Sequence, residues 1–233
     1  YVLTINENTT APNISMLNSN ALPSLKITGN AILEINQLAS KLDSLIVENG
    51  KFKIGDLTVN NLTLKGNDAS IETSKFIAKK LIIDGANYIS NSSLSVDNIN
   101  VINKGTLTVN GSISTTNLLV ENGSTLKVTA TNSDAIIVKN KGNLHLLGNA
   151  TITAASGKTG ICFNSPESAI YLKNTSRVTV SGGAYTIGHY NTNNSAKVYY
   201  PKNATNADNK ITSADGNILL SYGGLCKIDF VAE

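Results

Sequence analysis

Short apolar runs alternate with polar corners along most of this chain. Leu45-Ile46-Val47, Leu62-Thr63-Leu64, Leu81-Ile82-Ile83, Val101-Ile102, Leu118-Leu119-Val120 and Ile136-Ile137-Val138 each run into a corner such as Glu48-Asn49-Gly50, Asp84-Gly85 or Asn140-Lys141-Gly142. Apolar residues then return at every second position, as Phe52 and Ile54, Leu107 and Val109, Leu126 and Val128, and Leu144 and Leu146. Such alternation turns one side chain inward and the next outward, which predicts half-buried strands.

The corners recur. Gly29, Gly50, Gly66, Gly85, Gly105, Gly123, Gly142, Gly160 and Gly182 punctuate the chain at a nearly even interval. A repeat of about 20 residues without a helical pattern predicts stacked turns of a β-solenoid. Gly and Asn suit sharp bends because both tolerate the left-handed backbone region. Asn-Gly pairs also mark antiparallel hairpins. A third short run in most repeats, such as Leu57-Thr58-Val59, Leu94-Ser95-Val96 or Ala150-Thr151-Ile152, favours three strands per repeat. The fold class expected is therefore all-β, a right-handed parallel β-helix of about nine or ten coils, with an antiparallel sandwich or barrel as the lesser reading. Residues 1–24 are expected as an N-terminal lead-in or cap, 25–183 as coils, and 184–233 as Tyr-rich C-terminal coils and cap of the same domain. Ile35, Leu38, Leu42 and Leu45 are spaced for either a short capping helix or a loose coil.

Composition supports strands and narrows function. Trp is absent, Pro is scarce at 4, and charged residues make up 15%, so sustained helix is disfavoured. The net charge is +3, with lysines scattered over the corners and no basic stripe interleaved with aromatics, so nucleic acid is not an expected partner. No apolar run reaches the roughly 18 residues of a bilayer-crossing helix. The chain begins at Tyr1 without Met, and the expectation is a mature or excised piece whose signal and anchor lie outside it.

Beyond Gly182-Gly183 the repeat fades, and Tyr185, Tyr190, Tyr199, Tyr200 and Tyr222 place five of eight tyrosines near the C-terminus. Rings gathered at one end read as a terminal cap or as a platform that stacks on sugar faces. The candidate ligand-binding residues are Arg177, Tyr185, His189, Tyr190, Tyr199 and Tyr200, on or beside the polar stretch from His189 to Asp208. A loop on a rigid scaffold is where such residues tend to sit.

Candidate chemistry is sparse. Asp97, Asn117 and Asp134 follow their corner glycines at similar distances and would form an outward column. Such a column would suit Ca²⁺, which takes six to eight oxygens, or be a solvated polar ladder. No other cofactor is expected. His145, between Leu144 and Leu146, is expected to point outward without a special role. Asp97, Asp134 and Arg177 are the least implausible catalytic trio for a polysaccharide lyase or glycoside hydrolase. No nucleophile elbow, zinc helix, phosphate loop or Cys-x-x-Cys occurs. Cys162 and Cys226 read either as a disulfide or as two small buried residues. The Asn-x-Ser/Thr triplets at Asn61, Asn91, Asn122, Asn149, Asn174 and Asn203 are what chance supplies in a chain this rich in Asn, Ser and Thr.

The pattern of Val101-Ile102-Asn103-Lys104-Gly105-Thr106-Leu107-Thr108-Val109 resembles the right-handed β-helix, pectate-lyase-like modules of bacterial surface proteins, especially the adhesive domains of Gram-positive cell-wall proteins. The likeness covers residues 25 to 183. It implies an extracellular, secreted or cell-surface adhesin that binds a glycan or a host surface protein without chemistry. The same fold also hosts pectate lyases and polygalacturonases, but their Asp-rich calcium cluster and basic catalytic residues have no residue-by-residue match here. Fold likeness leaves function open among binding module, enzyme and structural spacer.

Overall fold

The computed structural model describes residues 2–14, 24–38, 41–165, 167–181, 184–189, 195–207, 210–213, 218–221 and 227–233. Among them every regular element is a β-strand. Nearly all strand pairing is parallel, in long sheets consistent with a β-solenoid. The chain divides into two compact units, residues 1–88 and 89–233.

The first unit holds β1 (Val2–Ile5), β2 (Thr9–Ile14), β3 (Ser24–Ile27), β4 (Ile32–Leu38), β5 (Leu42–Glu48), β6 (Lys51–Lys65) and β7 (Ser70–Asp84). Strands β1, β3, β5, β6 and β7 pair in that order, all parallel, and β2 and β4 lead into the start of β6. Register stacks like on like. Leu25, Leu45, Leu62 and Leu81 form one inward column and Ile27, Val47, Leu64 and Ile83 the next, each at most 3% exposed. Burying one such side chain contributes about 1.5–3 kcal/mol, so the columns are the core of this unit. At the Asn-Gly corner it is Asn49 itself that takes the left-handed conformation, at φ 53°. At the same corner, Glu48 accepts from Lys65 Nζ at 2.9 Å and from Lys26 Nζ at 3.0 Å. These two ammoniums, Lys65 first, hold the Glu48 carboxyl below its ordinary range.

Strand β8 (Asn87–Ser90) spans the boundary in sequence. The second unit holds β9 (Leu94–Ile102), β10 (Thr106–Val109), β11 (Ile113–Val120), β12 (Thr125–Thr129), β13 (Ile136–Leu146), β14 (Asn149–Thr153), β15 (Thr159–Phe163), β16 (Ala169–Tyr171), β17 (Arg177–Ser181), β18 (Tyr185–His189), β19 (Ser195–Tyr200), β20 (Ala204–Ala207), β21 (Lys210–Ser213), β22 (Ile218–Ser221) and β23 (Lys227–Ala232). One sheet runs β9, β11, β13, β16, β19, β23, with β15 and β18 branching from the start of β13; a second runs β10, β12, β14, β17, β22, β21, β20. The last two pairings of that second sheet are antiparallel.

Coil length changes along this unit. Ile99 lies opposite Leu118, whereas Leu118 lies opposite Leu144 and Leu144 opposite Ile170, so the two later coils are longer than the first. Ile170 then meets Val198, and Val198 meets Phe230, each interval wider than the one before. The glycine period does not follow this widening. Ile136-Ile137-Val138 aligns with Ile113-Ser114-Thr115 rather than with Leu118-Leu119-Val120, so Gly142 occupies a different corner from Gly123. Residues 130–135, inserted before β13, supply much of the extra length.

Two further expectations meet the structure. Residues 32–38 and 42–48 are strands rather than a capping helix, because parallel pairing of β4 with β2 and of β5 with β3 satisfies their backbone groups in a sheet. The disulfide alternative for Cys162 and Cys226 falls outside the described residues, as do Tyr190, Tyr222 and Cys226 themselves. Cys162 itself is buried on β15.

Candidate functional site

The outward side of the first sheet in the second unit carries two ordered columns. Alternation sends Ile99, Leu118, Leu144 and Ile170 inward and their neighbours outward, apart from Ala169, which is buried. Register then stacks Asn98, Asn117 and Asn143. Asn117 Nδ2 donates to Asn98 Oδ1 at 2.9 Å, and its own Oδ1 accepts from the Asn143 amide N–H at 3.2 Å. Two positions further along each strand, Leu119, His145, Tyr171, Tyr199 and Val231 stack as the second column.

The rings of that column lie face to face. His145 and Tyr171 have centroids 4.5 Å apart and planes 5° from parallel; Tyr171 and Tyr199 are 4.8 Å apart and also at 5°. The spacing is the interstrand distance of about 4.8 Å, so parallel pairing itself imposes the stack. Tyr171 therefore has both faces covered, and the column meets solvent through ring edges. Beside it, Lys173 Nζ pairs with Glu233 Oε2 at 3.2 Å.

Burial, and then the charge of Lys173, holds the His145 imidazole below its ordinary value of 6.5. The folded chain consequently resists the proton that the unfolded chain accepts. Stability from this group is present in full above about pH 6.5 and is lost as pH falls below it, because the unfolded state then binds more protons. The expected result is that the melting temperature of the wild type falls from neutral pH to mildly acid pH more steeply than that of His145→Phe, which keeps a ring in the stack. Parallel slopes would remove the imidazole from this account.

The residues expected from sequence do not form one cluster. Tyr199 belongs to the ring column. Tyr200, its strand neighbour, turns to the opposite side and is half-buried. Tyr185 is 41% exposed on β18, which pairs with β15 and not with β16 or β19. His189 lies on the same strand, opposite Phe163, and Arg177 lies on β17 of the second sheet. The Asp97, Asn117 and Asp134 column is corrected by the register: Asn117 aligns with Asn98, not with Asp97. Asp134 lies ahead of β13, where its Oδ1 accepts from the Thr159 amide at 2.7 Å. The displacement has two sources. The glycines Gly85 and Gly105 stand one position further apart than the residues that β9 and β11 pair, and residues 139–142 separate the two paired halves of β13, where the register shifts between Thr115 and Asn117. The trio of Asp97, Asp134 and Arg177 is likewise divided between two sheets and a turn. Among the described residues no group of three or more His, Cys, Asp or Glu is placed to hold a metal, and no helix is long and apolar enough to cross a membrane.

Tyr171, and any role for His145, are what sequence reading missed. Their signal is the interval between outward positions, 145 to 171 to 199, which follows the lengthened coils and not the glycine period. Comparison with family models, with curated proteins and with solved structures finds no match for this chain.

Proposed function

We propose that this chain is a non-catalytic binding module, a right-handed parallel β-helix of an extracellular bacterial protein, that recognises a glycan along the outward face of its second unit. The observation that supports the reading is the ring column of His145, Tyr171 and Tyr199 beside the amide column of Asn98, Asn117 and Asn143. Amides repeat once per strand over β9, β11 and β13 and phenol hydroxyls over β16 and β19, which suits a ligand whose hydroxyls also repeat. Aromatic edges, with Leu119 and Val231 continuing the column, offer an apolar track for the C–H faces of a sugar chain. The side chains are held by register and stacking, so little ordering cost falls on binding.

The experiment is a panel of immobilised neutral and acidic polysaccharides, with every hit then monitored for unsaturated or shortened product. Binding without product is expected. Tyr199→Ala should weaken it about tenfold, whereas Tyr200→Ala, altering the opposite side of the strand, should not. Product formation would overturn the reading in favour of a lyase or hydrolase. A structural spacer is the second reading, and one observation favours it: Tyr171 has no free ring face, as in a stack whose role is to stiffen the coil. For a spacer, Tyr199→Ala would lower stability and no glycan would bind.

A further inference from the structure

An open groove of about 470 Å³ lies in the first unit, lined by Glu34, Lys53 and Glu72 together with Ile35, Ile54 and Ser74, and edged by Gly55 and Thr73. Its size is within the range of small-ligand sites. Register makes the charged residues one column, Glu34 opposite Lys53 and Lys53 opposite Glu72, on β4, β6 and β7. Successive members are one strand spacing apart, about 4.8 Å. Lys53 Nζ pairs onward with Glu72 Oε2 at 3.5 Å. Both ends of that pair are well exposed, at 37% and 64%, so solvent keeps it weak and a ligand can compete for Glu72. Glu34 makes no ion pair among the described residues.

The Thr73 hydroxyl ties β7 to Gly55 of β6 beside the groove. Thr73 Oγ1 lies 3.0 Å from the Gly55 carbonyl oxygen and 2.8 Å from that of Lys75, so its proton is held within the wall. Two carboxylates and one ammonium leave the column net negative, which disfavours an anion. A divalent cation would need six to eight oxygens, more than the two carboxylates of this column supply. A primary ammonium asks for fewer partners: it carries three N–H donors, and Glu34, which makes no ion pair among the described residues, can accept from it. Ser74 and Lys53 can serve neighbouring hydroxyls, while Ile35 and Ile54 are buried in the core behind the groove.

We infer that this groove binds a saccharide carrying a free amine, a deacetylated amino sugar in an oligosaccharide. The inference rests on the glycan-binding reading and adds a second, charge-selective subsite on a different unit. The test is calorimetric titration of the full chain, at low salt, with a glucosamine oligosaccharide and with its fully N-acetylated counterpart. The amine form should bind at least about fivefold more tightly, the scale of an exposed charge-assisted contact, and Glu34→Gln should erase the difference. Glu34 is exposed, so the variant keeps its fold, and circular dichroism verifies that. Equal binding of both sugars, or a Glu34→Gln variant that still prefers the amine, would overturn the inference. So would a lysine-rich peptide that competes as strongly as the sugar. If polysaccharides bind in a Tyr199-dependent manner while the amine sugar does not, only the groove falls; if no glycan binds at all, the wider reading falls with it.

Discussion

Tyr171→Ala should abolish glycan binding to the second unit and lower its stability by about 1–3 kcal/mol. Two stacked contacts end at this one ring, with His145 at 4.5 Å and Tyr199 at 4.8 Å. Each aromatic pair is worth about 0.5–1.5 kcal/mol beyond the area it buries, so removing the central ring costs about twice what removing either end does. Binding suffers more than stability because the gap breaks the track in its middle and frees both neighbours to leave their rotamers. Tyr171→Phe separates the two effects: the stack is kept, stability changes little, and any loss of affinity belongs to the hydroxyl. Chemical denaturation and a polysaccharide titration on the same preparations read both quantities. Full affinity in Tyr171→Ala would show that the ring column is not the binding track.

Gly142→Ala should destabilise the second unit by about 3 kcal/mol, more than any exposed substitution. A methyl group at this position would overlap the Thr116 carbonyl oxygen and sit 2.7 Å from that of Lys139. Backbone oxygens cannot swing aside as a side chain would, so the strand must shift, and overpacking of this kind costs about 1–3 kcal/mol or more. The two preceding residues add to the constraint, since Asn140 and Lys141 both hold left-handed conformations, at φ 51° and 57°. Gly157→Ala is the contrasting control. Nothing lies within 4 Å of the added methyl, and its cost comes only from a φ of 72°, about 1 kcal/mol. Urea midpoints with an unchanged slope for both variants would report these differences. A Gly142→Ala midpoint equal to the wild type would mean the corner is looser than its contacts imply.

The strands were legible in the chain because a period of two is local. Each residue in Phe52-Lys53-Ile54 or Leu107-Thr108-Val109 needs only its neighbour to declare its side, and the burial alternates as read. Parallel stacking was legible for the same kind of reason in the first unit, where the long strands β6 and β7 pair from end to end at one constant interval. The repeat failed as a guide once the coils lengthened. Glycines kept recurring near Gly142 and Gly160, yet Gly142 serves a bend within β13 and Gly160 lies inside β15.

Sequence by itself determined the all-β class, the strand positions of the central repeats and the inward or outward sense of most side chains there, since these follow from alternation and corner chemistry. Only the tertiary structure decided which outward residues meet. His145, Tyr171 and Tyr199 stand a full lengthened coil apart in the chain and share no local motif, but register sets them in contact. Asp97 and Asn117 look equivalent by distance from their glycines and are not, because the strands pair at an interval one position shorter than the glycines keep, which sets Asn98 opposite Asn117. Here both Asp97 and Asn98 face outward, so the slip changes which outward residues meet, and a site built across coils depends on insertions far from its own residues.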